Sequence, residues 1–140
     1  MLKTTKRERK KIRNNIARII PFVVLFVFIY LFIVYQFKGS ELKNNAIITT
    51  GVILKFKSDY RGEGGAFVYS FNINGKYYEN QRAYPNIRSS DGYNLEGKIF
   101  PIVYDKNDPD NNRMLITDKD FKTYSIPFPD SLKWVEDYVR

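Results

Sequence analysis

Cysteine and histidine are both absent from the 140 residues. Without cysteine there is no disulfide, thiol nucleophile or thiolate ligand, so a fold exported to an oxidising compartment depends on packing alone. Without histidine the usual general base of neutral pH is missing, and the two gaps together remove every nitrogen or sulfur ligand of a zinc site. A catalytic set would have to be assembled from carboxylates, hydroxyls and lysines. No convincing one is legible, so no enzyme activity, cofactor or metal site is expected.

Acidic residues are scarce at one end only. Residues 1–18 hold eight lysines and arginines against a single acid, Glu8, while the remainder carries fifteen basic and fourteen acidic residues, a net of +1. The overall charge of +8 therefore belongs to a short basic head rather than to a folded basic surface. With no recognition module for nucleic acid, the head reads as a topology signal that also attracts anionic lipid headgroups.

Charge is absent altogether from Ile19 to Phe37, nineteen residues of which only Pro21 and Gln36 are not apolar. As a helix rising about 1.5 Å per residue, such a run matches the roughly 30 Å hydrocarbon thickness of a bilayer. It exceeds the h-region of a secretory signal, and Phe37-Lys38-Gly39-Ser40 lacks a small-x-small cleavage pattern, so an uncleaved signal anchor is expected. Lys10, Lys11, Arg13 and Arg18 precede the span, whereas Lys38 and Lys43 follow it with Glu41 between them. The positive-inside rule then puts the N-terminus in the cytoplasm and everything beyond about Lys38 outside. Pro21 falls in the first turn of this span, where its missing N–H costs little.

The expected organisation is a basic head over 1–18, the span over 19–37, a polar linker over 38–45, a small β domain over 46–117 and an aromatic tail with a short helix over 118–140. The segment Ala46 to Phe56 reads as a strand with Ile48, Val52, Leu54 and Phe56 on one face, and Gly51 marks a bend or bulge. Phe67, Tyr69, Phe71 and Ile73 alternate with smaller or polar residues, then Asn74-Gly75 turns the chain into Lys76 to Glu79. Asn-Gly is the preferred two-residue hairpin turn because both positions tolerate positive φ. Lys98 to Tyr104 makes a further strand, with Pro101 suggesting an edge or bulge. Arg113 to Thr117 makes a fifth, and Asp118-Lys119-Asp120 a turn. Asp130 or Ser131 caps a helix over Leu132 to Val139.

Three loops invite functional readings. Gly62 to Gly65 lacks the lysine and hydroxyl of a phosphate-cradling loop. Asp105 to Asn112 is rich in oxygen ligands but has Asp110 where an EF-hand needs glycine, so it reads as a solvated turn. The carboxylate pairs Asp105 with Asp108 and Asp59 with Glu63 would suit glycan cleavage only across a cleft that so small a barrel hardly affords. Tyrosine and tryptophan concentrate binding energy at protein interfaces. The expected partner-binding residues are accordingly Tyr60 and Arg61 in one loop, Tyr84 and Tyr93 flanking another, and Trp134 and Tyr138 in the tail.

Thr50-Gly51-Val52-Ile53, Tyr69-Ser70-Phe71-Asn72-Ile73 with Asn74-Gly75-Lys76-Tyr77-Tyr78, and Ile102-Val103-Tyr104-Asp105 leading to Asn107-Asp108-Pro109 occur in this order behind the span. The pattern resembles a widespread bacterial family of membrane-anchored small β domains of unknown function. Lys106 stands where that family often has proline, and the tail has no counterpart in it. The resemblance covers about residues 46 to 117 and implies a compact five-stranded barrel or sandwich with a membrane address; the fold expected here is an antiparallel one of SH3 or OB type followed by a short C-terminal helix, at the cytoplasmic membrane. It implies no reaction. The function expected is a single-pass, extracytoplasmic module binding other envelope proteins. An immunity protein against a secreted toxin and, behind it, a carboxylate-dependent glycan-acting enzyme are the alternatives.

Overall fold

The computed structural model describes residues 6–60 and 62–139, with the backbone alone over 6–18. The side chains of Lys10, Lys11, Arg13 and Arg18, and all of Arg61, lie outside the described residues. The chain divides between Gly39 and Ser40 into two compact units.

The first unit is helical. Helix α1 runs over Lys6–Asn44, so the basic head and the supposed linker continue the apolar helix, leaving Asn45 alone before the first strand. Pro21 consequently lies inside a helix rather than in its first turn, because the residues ahead of it are helical too. Its missing N–H forfeits one bond to the carbonyl four residues earlier. From Ile19 to Phe37 the large apolar side chains are exposed on every face, Phe26 and Phe22 as fully as Ile29 and Leu31. Over Ile19–Asn44 the mean hydropathy reaches 2.5 and none of the most apolar stretch is buried. A helix apolar on all sides needs an apolar surrounding, and the described residues provide none. This helix is long and apolar enough to span a membrane.

The second unit is a curled sheet. Its elements are β1 (Ala46–Ser58), β2 (Gly65–Ile73), β3 (Lys76–Tyr84), α2 (Ser89–Asn94), β4 (Ile99–Asp105), β5 (Asn112–Met114), α3 (Asp118–Thr123) and a 3-10 helix over Asp130–Asp137. All pairings are antiparallel, in the order β3-β2-β1-β4-β5. The long β1 serves two neighbours: Ala46–Val52 pairs with β4 and Gly51–Ser58 with β2. Gly51 sits where the two ladders overlap. A Cβ there would lie 2.5 Å from the Ser70 carbonyl oxygen and collide with the Ile102 side chain, so only glycine lets these strands curl over each other.

Two strand expectations are corrected. The bulge falls between Ile53 and Lys55 rather than at Gly51. It reverses the alternation of β1, so that Ile53 and Phe56 are buried while Ile48 and Leu54 are exposed. Beyond Val52, where the β4 ladder ends, β1 is capped by Glu96, whose Oε1 accepts the Phe56 N–H at 2.7 Å. Pro101 lies in an internal strand, since β4 runs between β1 and β5. Its carbonyl accepts the Leu115 N–H at 2.9 Å, so its nitrogen faces the β5 side, just where that short ladder ends. The lost donor thus costs a bond at the end of a ladder rather than in its middle.

The hairpin expectation holds. Asn74 and Gly75 have φ of 51° and 83°, and Asn72 Oδ1 accepts the Gly75 N–H at 2.8 Å. Phe67, Tyr69 and Phe71 are buried and Ile73 packs against them. The core also takes in Leu42 from the last turn of α1 and Phe121, Leu132 and Val135 from the tail, so a domain boundary at residue 117 would cut through it. The turn expected at Asp118 to Asp120 is the first turn of α3, held by a reciprocal capping box between Thr117 and Asp120. The last helix is a 3-10 helix starting at Asp130, and its cap position, Pro129, supplies no side-chain bond. A helix expected nowhere, α2, interrupts the loop between β3 and β4. Its buried Gly92 offers its bare backbone to the Phe56 ring, three atoms of which would lie 2.5, 2.6 and 2.6 Å from an added Cβ.

Candidate functional site

The two outermost strands, β3 and β5, approach each other without a backbone ladder, and side chains from alternate positions of β3 bridge them. Asn80 Nδ2 donates to Asn112 Oδ1 at 3.1 Å. Arg82 Nη1 donates to the Met114 carbonyl oxygen at 2.6 Å, and the Tyr84 hydroxyl donates to the same oxygen at 2.9 Å. Tyr69, one strand further in, donates its hydroxyl to Asn112 Oδ1 at 2.8 Å. The seam of the half-barrel is therefore made of side chains.

Asp120 anchors this seam from α3. Arg82 Nη2 is bonded to its Oδ1. Its Oδ2 accepts the N–H groups of Ile116 at 3.1 Å and Thr117 at 2.9 Å, and the Tyr84 hydroxyl at 3.3 Å. The side chain of Asp120 is 7% exposed and that of Arg82 24%, so a buried carboxylate is matched by a cation and three further donors.

The electrostatics fix protonation states rather than poising them. Burial raises the Tyr69 phenol to about 12, with the positive charge of Arg82 opposing the shift. Burial likewise lifts Tyr84 well above its ordinary value, again opposed by Arg82. Burial works against the charge of Arg82, but Tyr84 and Asp120 outweigh it and hold the guanidinium above its usual value. Both phenols stay protonated at neutral pH and serve as hydrogen-bond donors.

Two hollows adjoin the seam, and a third is lined by none of its residues. One of about 330 Å3 lies beside Arg82, Arg113, Lys119 and Tyr124. A second, of about 360 Å3, lies between the N-terminus of α3 and the 3-10 helix. The third, of about 630 Å3, is an open groove along Glu63, Arg88, Ser89 and Ser90.

The aromatic residues singled out from sequence do not converge. Tyr60 is fully exposed, at 103%. Tyr93 leaves half its surface free while meeting the Phe56 ring edge-on, centroids 5.4 Å apart. Trp134 lies 6.1 Å from Phe100 and 5.9 Å from Tyr138, so these two tail residues form one cluster. Tyr84 is interior, its hydroxyl committed to the seam, and offers no contact to a partner. The carboxylate of Asp105 is buried, accepting the Asn107 N–H at 2.8 Å, and Asp59 Oδ1 accepts the Glu63 N–H at 3.2 Å. Each of these two acids braces its own loop.

Sequence reading missed Arg82 and Asp120. The parity Tyr78, Asn80, Arg82, Tyr84 continues the inward face of β3 beyond Glu79, and the Thr117-x-x-Asp120 spacing is a capping signature. Both signals were present, but neither says that the two residues meet. Comparison of the chain with family models, with curated proteins and with solved structures finds no match.

Proposed function

We propose that this chain is a single-pass membrane protein that displays an OB-like β domain outside the cytoplasm, where the domain binds other proteins of the bacterial envelope. The OB assignment rests on the strand order, on α2 between β3 and β4, and on the partly open seam between β3 and β5. The orientation rests on the eight basic residues ahead of Ile19. The observation that carries the binding role is the aromatic and aliphatic surface the domain leaves in water: Tyr60, Tyr77, Tyr93, Ile99 and Trp134. Side chains of this kind supply most of the free energy of protein interfaces once buried against a partner. The inward, fully committed Asp120 and the protonated phenols favour a binding module over a catalyst.

The test is photo-crosslinking in living cells from probes placed at Tyr60 and at Trp134, combined with a C-terminal reporter active only outside the cytoplasm. An active reporter and a defined crosslinked envelope protein are expected. A reporter active only in the cytosol, or a protein recovered uncrosslinked from both positions, overturns the reading.

A further inference from the structure

The hollow of about 330 Å3 beside the seam carries charge that the fold does not use. Its walls hold three cations, Arg82, Arg113 and Lys119, against one carboxylate, Asp120. Asp120 is saturated by Arg82, by two backbone N–H groups and by Tyr84. Arg82 is spent on Asp120 and on the Met114 carbonyl. The side chains of Arg113 and Lys119 make no hydrogen bond or ion pair among the described residues. Lys119 also lines the neighbouring hollow, whose acids are Asp118, paired with Lys122 at 2.5 Å, and Glu136.

The placement of Arg113 gives this charge a direction. It is half-buried on β5 between Asn112 and Met114, both buried, so its backbone is held by the sheet. A guanidinium presents parallel N–H donors that match the two oxygens of a carboxylate, and an ammonium beside it adds a compact charge. Ala83, Pro85, Ile87 and Val139 contribute apolar surface to the same hollow. Its volume is at the small end of the roughly 300–1,000 Å3 typical of small-molecule sites.

We infer that this hollow binds a carboxylate attached to a small apolar body, with Arg113 gripping the carboxylate and Lys119 beside it. A free small acid and the C-terminal residue of a polypeptide share this chemistry. The inference stands apart from the envelope role, because it depends neither on the span nor on the exposed aromatics.

Calorimetric titration of the full-length protein in detergent micelles tests it, with N-acetyl-alanine, N-acetyl-leucine, a pentapeptide ending in leucine, N-acetyl-leucinamide and inorganic phosphate as probes. An N-acetyl amino acid or the peptide is expected to bind, and the neutral amide at least about tenfold more weakly. Backbone NMR signals of Thr117 to Asp120 should shift on binding. Arg113→Gln should weaken binding about tenfold or more and Lys119→Gln by a smaller factor, with Lys133→Gln without effect. Because Lys119 is exposed, its variant keeps the test valid should Arg113→Gln unfold. Binding of the peptide but not of the single residues assigns a polypeptide terminus, and the converse a free acid. Amide binding equal to acid, phosphate binding without carboxylate binding, no binding of any acid below about 10 mM, or unchanged affinity in both variants overturns the inference.

Discussion

Arg82 on β3 donates its Nη1 hydrogen to the Met114 carbonyl oxygen on β5, 2.6 Å away across the gap between the two end strands of the sheet. The contact takes the place of a backbone ladder. It joins the ends of the half-barrel through a charged side chain that must in turn be neutralised, and Asp120 does so from α3.

Removing both members of that pair should cost less than the two single losses added together. Arg82→Met leaves the Asp120 carboxylate with backbone and phenolic donors but no cation, and a loss of roughly 3 kcal/mol of stability is expected. Asp120→Leu should cost a similar amount by leaving two N–H groups and Arg82 without their acceptor. The double variant should be less destabilised than the sum. Urea denaturation of the four proteins in micelles gives the coupling, and strict additivity would refute the seam as described.

Gly92 should not tolerate a methyl group. The Phe56 ring occupies the space a Cβ would need, so Gly92→Ala is expected to cost about 1–3 kcal/mol. Phe56→Leu in the same chain should restore part of the loss. Gly39, with nothing within 4 Å of an added Cβ, provides the control: Gly39→Ala should leave the domain's unfolding unchanged.

The buried phenols predict alkaline sensitivity. Tyr69 ionises at 10.0 in an unfolded chain and at about 12 in the fold, so between these values the unfolded state loses its proton first. Unfolding becomes progressively more favourable over that interval, by roughly 2–3 kcal/mol for this group, while below pH 10 the full contribution is present. Tyr84 acts in the same direction. Tyr69→Phe should flatten the decline in stability between pH 10 and 12, measured by denaturation at fixed pH alongside tyrosinate absorbance.

A charge in the middle of the apolar helix should weaken membrane retention. Phe28→Arg introduces a cost of about 2.5–3.5 kcal/mol at the centre of a span. Carbonate extraction of cell membranes should then release a substantial fraction of the variant, while Lys38→Arg behaves like the parent.

Under the proposed binding role, Tyr60 separates binding from folding. It is fully exposed, so Tyr60→Ser should leave the unfolding transition where it is. Under the proposed envelope role, the same change should lower the yield of the crosslink expected from Trp134, and an unchanged yield would place Tyr60 outside the binding surface.

The amino-acid order alone determined the apolar span, its basic flank and the Asn74-Gly75 hairpin, because each depends on residues close in sequence and on periodicity that needs no partner. Tertiary structure decided the rest. The bulge after Ile53 reversed half of β1, since Phe56 had to reach the space left by Gly65 and Gly92, residues 9 and 36 positions away. Likewise, nothing local pairs Arg82 with Asp120, 38 residues apart. Only the curling of the sheet brings β3 to β5 and closes a carboxylate between them, and burial then turns that proximity into an obligatory ion pair.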